Sequence, residues 1–230
     1  MHDIPVITVD GPSGVGKGTI SQLLADRLGW HFLDSGALYR LVGLAARRRG
    51  LNLEEPDAEA LGALARGLRA EFQVRAGATP LIFLDGEEVT DATRTEEAGG
   101  DASRVAAILQ VRQALLQRQR DYRQSPGLVA DGRDMGTTVF PAAPVKVFLT
   151  ASAEARAERR YKQLKEKGLD VNVTALLSEI VARDERDRSR SASPLRPADD
   201  AQVIDTSDLT IQEVFDRVMA LVRTRLPGSV

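Results

Sequence analysis

The sequence predicts a three-layer α/β fold: a mainly parallel central sheet, helices on both of its faces, and a small antiparallel β insert. Three observations carry this. Short apolar runs alternate with segments of helical periodicity along most of the chain, the pattern of strands covered on both faces by crossover helices. A glycine-rich stretch containing a lysine separates the first apolar run from the first helical one. Between about residues 69 and 93 the periodicity shortens to that of strands and turns.

The first element is the β-rich run Pro5-Val6-Ile7-Thr8-Val9-Asp10, which stops at Gly11. Ile20, Leu23, Leu24 and Leu28 then recur at helical spacing over residues 17–28, with Gly29 as the stop. Trp30-His31-Phe32-Leu33 reads as a second strand, and residues 37–49 as a second helix ended by Gly50. A third helix follows Pro56, with Leu61, Leu64 and Leu68 on one face. In the insert at 69–93, Leu81-Ile82-Phe83-Leu84 leads into Asp85-Gly86 and then Val89. An Asp-Gly pair between β-rich runs signals a hairpin.

The insert divides a core made of residues 1–68 and 94–230. A long helix is expected over 104–124, ended by Pro126-Gly127. Two buried strands follow, Leu128-Val129-Ala130 and Val145-Lys146-Val147-Phe148-Leu149. A strongly charged helix lies between Ser152 and Gly168, another spans about 174–187, and Val203-Ile204 is a last short strand. Thr210 and Glu213 have capping-box spacing and open a final helix with Val214, Val218 and Leu221 inward. Residues 227–230 are expected to fray.

Composition bounds the function classes. A formal net charge of -2 argues against a chain devoted to coating nucleic acid or anionic membrane, so any basic site is a local cluster. The absence of cysteine excludes a disulfide framework and a thiolate zinc site. Residues 1–5 show no basic region followed by an apolar stretch, so no signal peptide is expected. No apolar run reaches the roughly 18 residues of a membrane span. The expected location is the cytoplasm.

Gly11-Pro12-Ser13-Gly14-Val15-Gly16-Lys17-Gly18-Thr19 fits the G-x-x-x-x-G-K part of the phosphate-loop (P-loop) pattern, in the strand–loop–helix setting that pattern requires. Glycines let successive N–H groups turn inward around a phosphate, and the helix N-terminus adds a favourable partial charge. Lys17 supplies a mobile cation for the β- and γ-phosphates. The chain departs from the pattern at Gly18, where Ser or Thr usually holds Mg2+. The hydroxyl comes one residue later, making Thr19 the candidate metal ligand.

A protein with such a loop can hydrolyse ATP for work, switch on GTP, or pass a phosphoryl group to a small acceptor. No Asn-Lys-x-Asp guanine motif occurs. Transfer needs a second anion site, and arginines stand at the ends of strands, where open α/β sheets place their ligands. Asp34-Ser35-Gly36-Ala37-Leu38-Tyr39-Arg40 follows one strand and Asp131-Gly132-Arg133-Asp134 another. Residues 183–190 (Arg-Asp-Glu-Arg-Asp-Arg-Ser-Arg) alternate in sign. Blander readings exist: Ser35 as a helix cap, Arg40 as a solvated charge, and Arg183–Asp187 and Asp184–Arg188 as surface pairs one helical turn apart. They explain part of the charged run but not all four arginines.

Together these segments resemble bacterial cytidylate kinases, nucleoside monophosphate kinases of the P-loop group. The resemblance runs from Pro5 to about residue 225. It rests on Gly-Pro-Ser-Gly-x-Gly-Lys-Gly-Thr, Leu-Asp-Ser-Gly-Ala-Leu-Tyr-Arg, Asp-Gly-Arg-Asp-Met-Gly-Thr and Arg-Asp-x-Arg-Asp-Arg, in that order. It implies ATP as donor, Mg2+ as cofactor, CMP or dCMP as acceptor, and a monomer with no stable nucleic-acid partner and no membrane. It implies that Ser35, Arg40, Arg133 and Arg190 hold the acceptor phosphate, that Ser103, Arg112 and Asp134 read cytosine, and that Arg183 and Asp187 contact the sugar. A carboxylate accepts from the exocyclic amine that uracil lacks, and arginine donates to the ring carbonyl. A cap on the helix at 104 accounts for Ser103 almost equally well, and Arg112 has an exposed helix position as its blander reading.

The resemblance further implies a short helical lid around 152–170. Arg156 and Arg160 lie four apart and share a face, with Arg159 on the adjacent side, all candidates for the γ-phosphate. Asp131 is read as the outer-shell partner of the hydrated metal, and His2 and His31 have no part. The expected reaction is reversible in-line transfer from ATP to CMP, driven by positioning and charge neutralisation. Three alternatives stand beside it: the same chemistry on UMP, AMP or a small alcohol, an ATP-dependent RNA-binding protein using residues 183–190, and a non-catalytic nucleotide sensor.

Overall fold

The computed structural model describes residues 4–75, 78–166 and 168–228. The expectations for His2 and for fraying at 229–230 concern residues outside these. In chain order the first half of the elements are β1 (Val6–Asp10), α1 (Lys17–Leu28), β2 (His31–Asp34), α2 (Ser35–Arg48), α3 (Ala58–Arg66), β3 (Ala70–Arg75), β4 (Ala78–Leu84) and β5 (Glu87–Glu88). There follow α4 (Glu96–Val105), α5 (Leu109–Arg120), β6 (Leu128–Gly132), β7 (Val145–Thr150), α6 (Ala153–Glu166), α7 (Val173–Ser189), β8 (Gln202–Asp205) and α8 (Ile211–Arg225). The described chain divides into two compact units: residues up to 34 with those from 119 on, and residues 35–118.

In the first unit the five apolar runs form one parallel sheet of order β2-β6-β1-β7-β8. Every residue of β1 and β6 is buried, which is why these strands read as continuous apolar runs rather than as alternation. Ile7 is flanked by Val129 on one side and Val145 on the other. Ile20 and Leu24 of α1 and Val214, Val218, Met219 and Val222 of α8 join the core that this sheet face makes. Two expected core positions differ. Leu23 is 40% exposed, because Ile20 and Leu24 already point α1 at the sheet. In α8, Met219 and Val222 are buried while Leu221 is only half-buried. The capping box at Thr210 and Glu213 is present in both directions.

The second unit holds α2 to α4, most of α5 and the antiparallel sheet β3-β4-β5. Asp85 (φ 52°) and Gly86 (φ 86°) join β4 to β5 with both residues left-handed, the geometry an Asp-Gly pair favours in a tight hairpin. Gly43 lets α2 approach α4, since a Cβ there would lie 2.8 Å from that of Asp101. Arg47 then pairs with Asp101 and Glu97 across the same contact.

The long helix expected over 104–124 is instead two helices, α4 and α5. Thr95 caps α4 by accepting from Ala98 N–H at 3.1 Å, and the helix ends at Val105. Ser103 therefore lies inside α4 and caps nothing at 104. The Arg112 guanidinium donates to the Ala106 carbonyl at 3.3 Å, one of the groups that the break leaves outside regular helix. No helix among the described residues is long and apolar enough to cross a membrane.

The centre of the parallel sheet is the part of this fold least able to collapse around a void. Ile7→Ala is expected to cost about 2–5 kcal/mol, whereas Val203→Ala on the exposed edge strand stays within roughly 0.5 kcal/mol. Urea denaturation of the two variants checks the contrast.

Candidate active site

The glycine-rich loop leaves β1 at Gly11 and enters α1 at Lys17. Gly11 (φ 146°) passes so close to β7 that a Cβ would stand 2.1 Å from the Leu149 carbonyl oxygen. Gly16 is left-handed and precedes the helix without a side-chain cap, so the first N–H groups of α1 have no capping side chain to bind them. Outside the loop, Thr206 at the end of β8 donates from Oγ1 to the Val15 carbonyl at 3.2 Å and so braces the turn.

Lys17 is 6% exposed and its Nζ donates to the Pro12 carbonyl at 2.7 Å. Burial and the neighbouring Arg133 push its ammonium down to about 7, with Arg183 acting in the same direction and Asp131 and Asp10 against it. Two cations thus press on a buried third. Such an arrangement lowers its energy by taking in an anion.

The carboxylates are equally specific in place. Asp131, 8% exposed, faces the start of α1: its Oδ2 lies 3.5 Å from where a Gly18 Cβ would be. The position usually held by a hydroxyl is thus a glycine beside a carboxylate. Thr19, one residue on, is exposed. Asp10 is buried and accepts from the N–H groups of Met135 and Gly136, each at 2.8 Å. Burial pushes its carboxyl up to about 7, against the pull of those two bonds and with the help of Asp134 and Asp131. Among the described residues no group of three or more His, Cys, Asp or Glu is arranged to hold a metal. A Mg2+ ion here would take most of its oxygens from phosphates and water, its usual manner of binding. One buried carboxylate fits that.

The charged run at 183–190 buries one side, while Glu185, Arg186, Arg188 and Ser189 stay exposed. Asp184 and Asp187 are both 3% exposed. Asp187 accepts from Arg133 Nε at 3.3 Å, and Arg133 also donates to the Gly132 carbonyl. Arg190, 8% exposed, donates to the Ser193 carbonyl. Of the expected surface pairs, Asp184–Arg188 is present at 3.5 Å. The structure therefore brings Lys17, Asp131, Arg133, Arg183 and Asp187 together around the phosphate loop.

The three arginines expected in the lid, all on α6, differ in what they bond. Arg156 is 2% exposed and holds Asp184 bidentately, at 3.0 and 2.5 Å, while donating to the carbonyls of Ser13 and Ser152. Arg159 donates to the carbonyls of Thr206 and Ser207. Arg160 donates to Gln163 Oε1 on the exposed side of α6.

Asp134, 2% exposed, follows Arg133 after β6, and the other remaining candidates lie in the second unit. Ser35 is the buried first residue of α2, and Arg40, half-buried, lies further along the same helix. Ser103 is 5% exposed inside α4. Arg112 is 8% exposed, with its guanidinium 5.8 Å from the Tyr39 ring centre, so it is no surface residue. Asp10, Asp184 and Thr206 escaped the reading of the sequence. Asp10 had a signal: like Asp131, it is an acid closing an apolar strand at the sheet's ligand-binding edge.

Comparison with known proteins adds the following. The family described as Cytidylate kinase matches residues 7–224. A cytidylate kinase of Stutzerimonas stutzeri is 57% identical over 98% of this chain and 98% of its own length. One of Shewanella denitrificans is 56% identical over 96% and 97%. A third, of Colwellia psychrerythraea, is 54% identical over 98% and 99%.

Two predictions follow from the electrostatics. An anion bound at Lys17 raises its pKa again, so binding takes up protons above pH 7 and affinity falls as pH rises from about 7 to 9. Calorimetry of ADP binding at pH 8, in buffers of different ionisation enthalpy, is expected to show uptake approaching one proton, and Lys17→Met to abolish it. Separately, Asp184→Ala strands the buried Arg156 charge and is expected to cost about 3–5 kcal/mol in urea denaturation.

Proposed function

The chain belongs to the cytidylate kinase family, and on that footing we propose how its residues transfer the γ-phosphoryl group of ATP to CMP or dCMP. The protein is a nucleoside monophosphate kinase, a phosphotransferase. One observation carries the assignment of its centre: Lys17, buried and pressed by Arg133 and Arg183, is a cationic site poised for phosphate.

The loop from Gly11 through Pro12, Ser13, Gly14, Val15, Gly16, Gly18 and Thr19 wraps the donor's β-phosphate with backbone N–H groups, and Lys17 reaches the β- and γ-oxygens. Arg133, Arg190, Ser35 and Arg40 hold the acceptor phosphate. Asp134 accepts from the cytosine amine, Arg112 and Ser103 address its ring, and Arg183 and Asp187 the sugar. The attacking oxygen is already anionic, so no strong base is needed, and the protein's work is positioning and neutralisation. Arg156, Arg159 and Arg160 belong to the lid at 152–170, whose closure excludes water. The buried pairing of Arg156 with Asp184 supports a part for it in anchoring that lid.

Mg2+ supplies charge neutralisation on the phosphates when bound. The oxygen donors beside Gly18 are Asp131 in space and Thr19 in sequence. Asp131, buried yet able to reach a hydrated ion, is the stronger candidate, as an outer-shell partner. We further propose a monomeric, cytoplasmic enzyme of pyrimidine nucleotide metabolism, built as a core of 1–68 and 94–230 with the β insert at 69–93. Conversion of CMP requires no nucleic acid or membrane partner.

The decisive assay follows ADP release with CMP, dCMP, UMP, AMP, GMP and shikimate. Highest kcat/KM is expected for a cytidine nucleotide, and preference for any other acceptor would overturn the reading. Lys17→Met is expected to lower kcat by about 10²–10³-fold or more, since it removes the cation facing the transferring charge.

A further inference from the structure

Arg133 and Asp134 must be held to a fraction of an ångström if they are to fix a phosphate and discriminate an amine from a carbonyl. They occupy the first two positions after β6, and beside the Arg133–Asp187 contact the backbone on either side of them is tied to one residue on the neighbouring strand. Asp10 pairs with Gly132 in the β1–β6 register, immediately before Arg133. Its carboxylate then reaches past both residues and accepts from Met135 N–H and Gly136 N–H, each at 2.8 Å. The two-residue segment is bracketed at both ends by one amino acid.

The far end of the bracket has little room to move. Met135 is fully buried. A Cβ on Gly136 would stand 2.9 Å from Thr8 Oγ1 and 3.3 Å from Asp10 Oδ2. Asp10 also precedes Gly11, the first residue of the phosphate loop. Donor loop and acceptor-reading pair are therefore registered to the same residue, one through its backbone and the other through its side chain.

We propose that Asp10 is a positioning residue for acceptor recognition: its bidentate grip on Met135 and Gly136 sets the placement of Arg133 and Asp134 without touching either substrate. This rests on the reading that those two residues bind CMP. A burial-only role for Asp10 would predict a general loss of stability and activity. Positioning predicts a selective one, because the loop at 11–19 keeps its own braces from Thr206 to Val15 and from Arg156 to Ser13.

The test is Asp10→Asn, with Arg133→Ala and Asp134→Asn in parallel, all confirmed folded by thermal melting. Asparagine keeps one acceptor oxygen but turns an NH2 toward one of the two N–H groups, donor against donor. Asp10→Asn is expected to raise KM for CMP about 10- to 100-fold and to shrink the CMP-over-UMP preference, with KM for ATP changed less than about twofold. A folded Asp10→Asn with KM for CMP within twofold, or with both KM values raised equally, overturns the proposal when the two parallel variants do raise KM for CMP. If those variants leave it unchanged as well, the reading of the acceptor site falls and the proposal with it. Should Asp10→Asn not fold, Gly136→Ala displaces the same end of the bracket through its contact with Thr8 and decides on the same outcomes.

Discussion

A cluster of cations must be kept together inside the protein before any substrate arrives, and that constraint organises the rest of the structure. Arg133 and Arg183 both press on Lys17, and burial raises the cost of its charge. The fold meets this by interleaving carboxylates: Asp131 facing the start of α1, Asp187 on Arg133, Asp184 on Arg156. The offset is incomplete at Lys17, whose ammonium is the one held down to about 7. A site left short of negative charge in this way lowers its energy by taking in an anion, because the anion supplies what the protein withholds.

The parallel sheet is what makes such crowding possible. Strands running in one direction deliver all their carboxyl ends to one edge, and adjacency in the order β2-β6-β1-β7 decides which ends meet. Asp34, Asp131 and Val9 fall on one line of the register, with Asp10 and Gly132 on the next. An antiparallel sheet would send half of these groups to the opposite edge. The apolar stretches of β1 and β6, with Ile7 and Val129 inaccessible to water, give the edge its rigidity.

Local signals made much of this legible in the sequence. The strand–glycine–lysine–helix order fixed the phosphate loop, Thr210 and Glu213 fixed the start of α8, and Asp85-Gly86 fixed a hairpin. Each is decided within a few residues. What escaped depends on contacts between distant segments. Helical spacing linked Asp184 to Arg188, and that bond exists, but it did not reveal Arg156, 28 residues away, as the partner buried with Asp184. Periodicity likewise carried one helix from 104 to 124, since no Gly or Pro marks the break at 106–108. Arg112 is part of that break, bonding the Ala106 carbonyl from the next helix.

Arg156 shows why a shared helical face is weak evidence for a shared task. Its guanidinium has five N–H donors, and Asp184, Ser13 and Ser152 occupy Nε, Nη1 and Nη2 between them. Its aliphatic stem leans on the phosphate loop, with Cβ 3.2 Å from where a Gly14 side chain would begin. Three segments, the loop, α6 and α7, converge on one side chain. These bonds tie the start of α6 to the glycine-rich loop and to α7. Arg160, one turn further along α6 and half-buried, donates to Gln163 Oε1. Position relative to the core, rather than spacing along the helix, decides what Arg156 bonds.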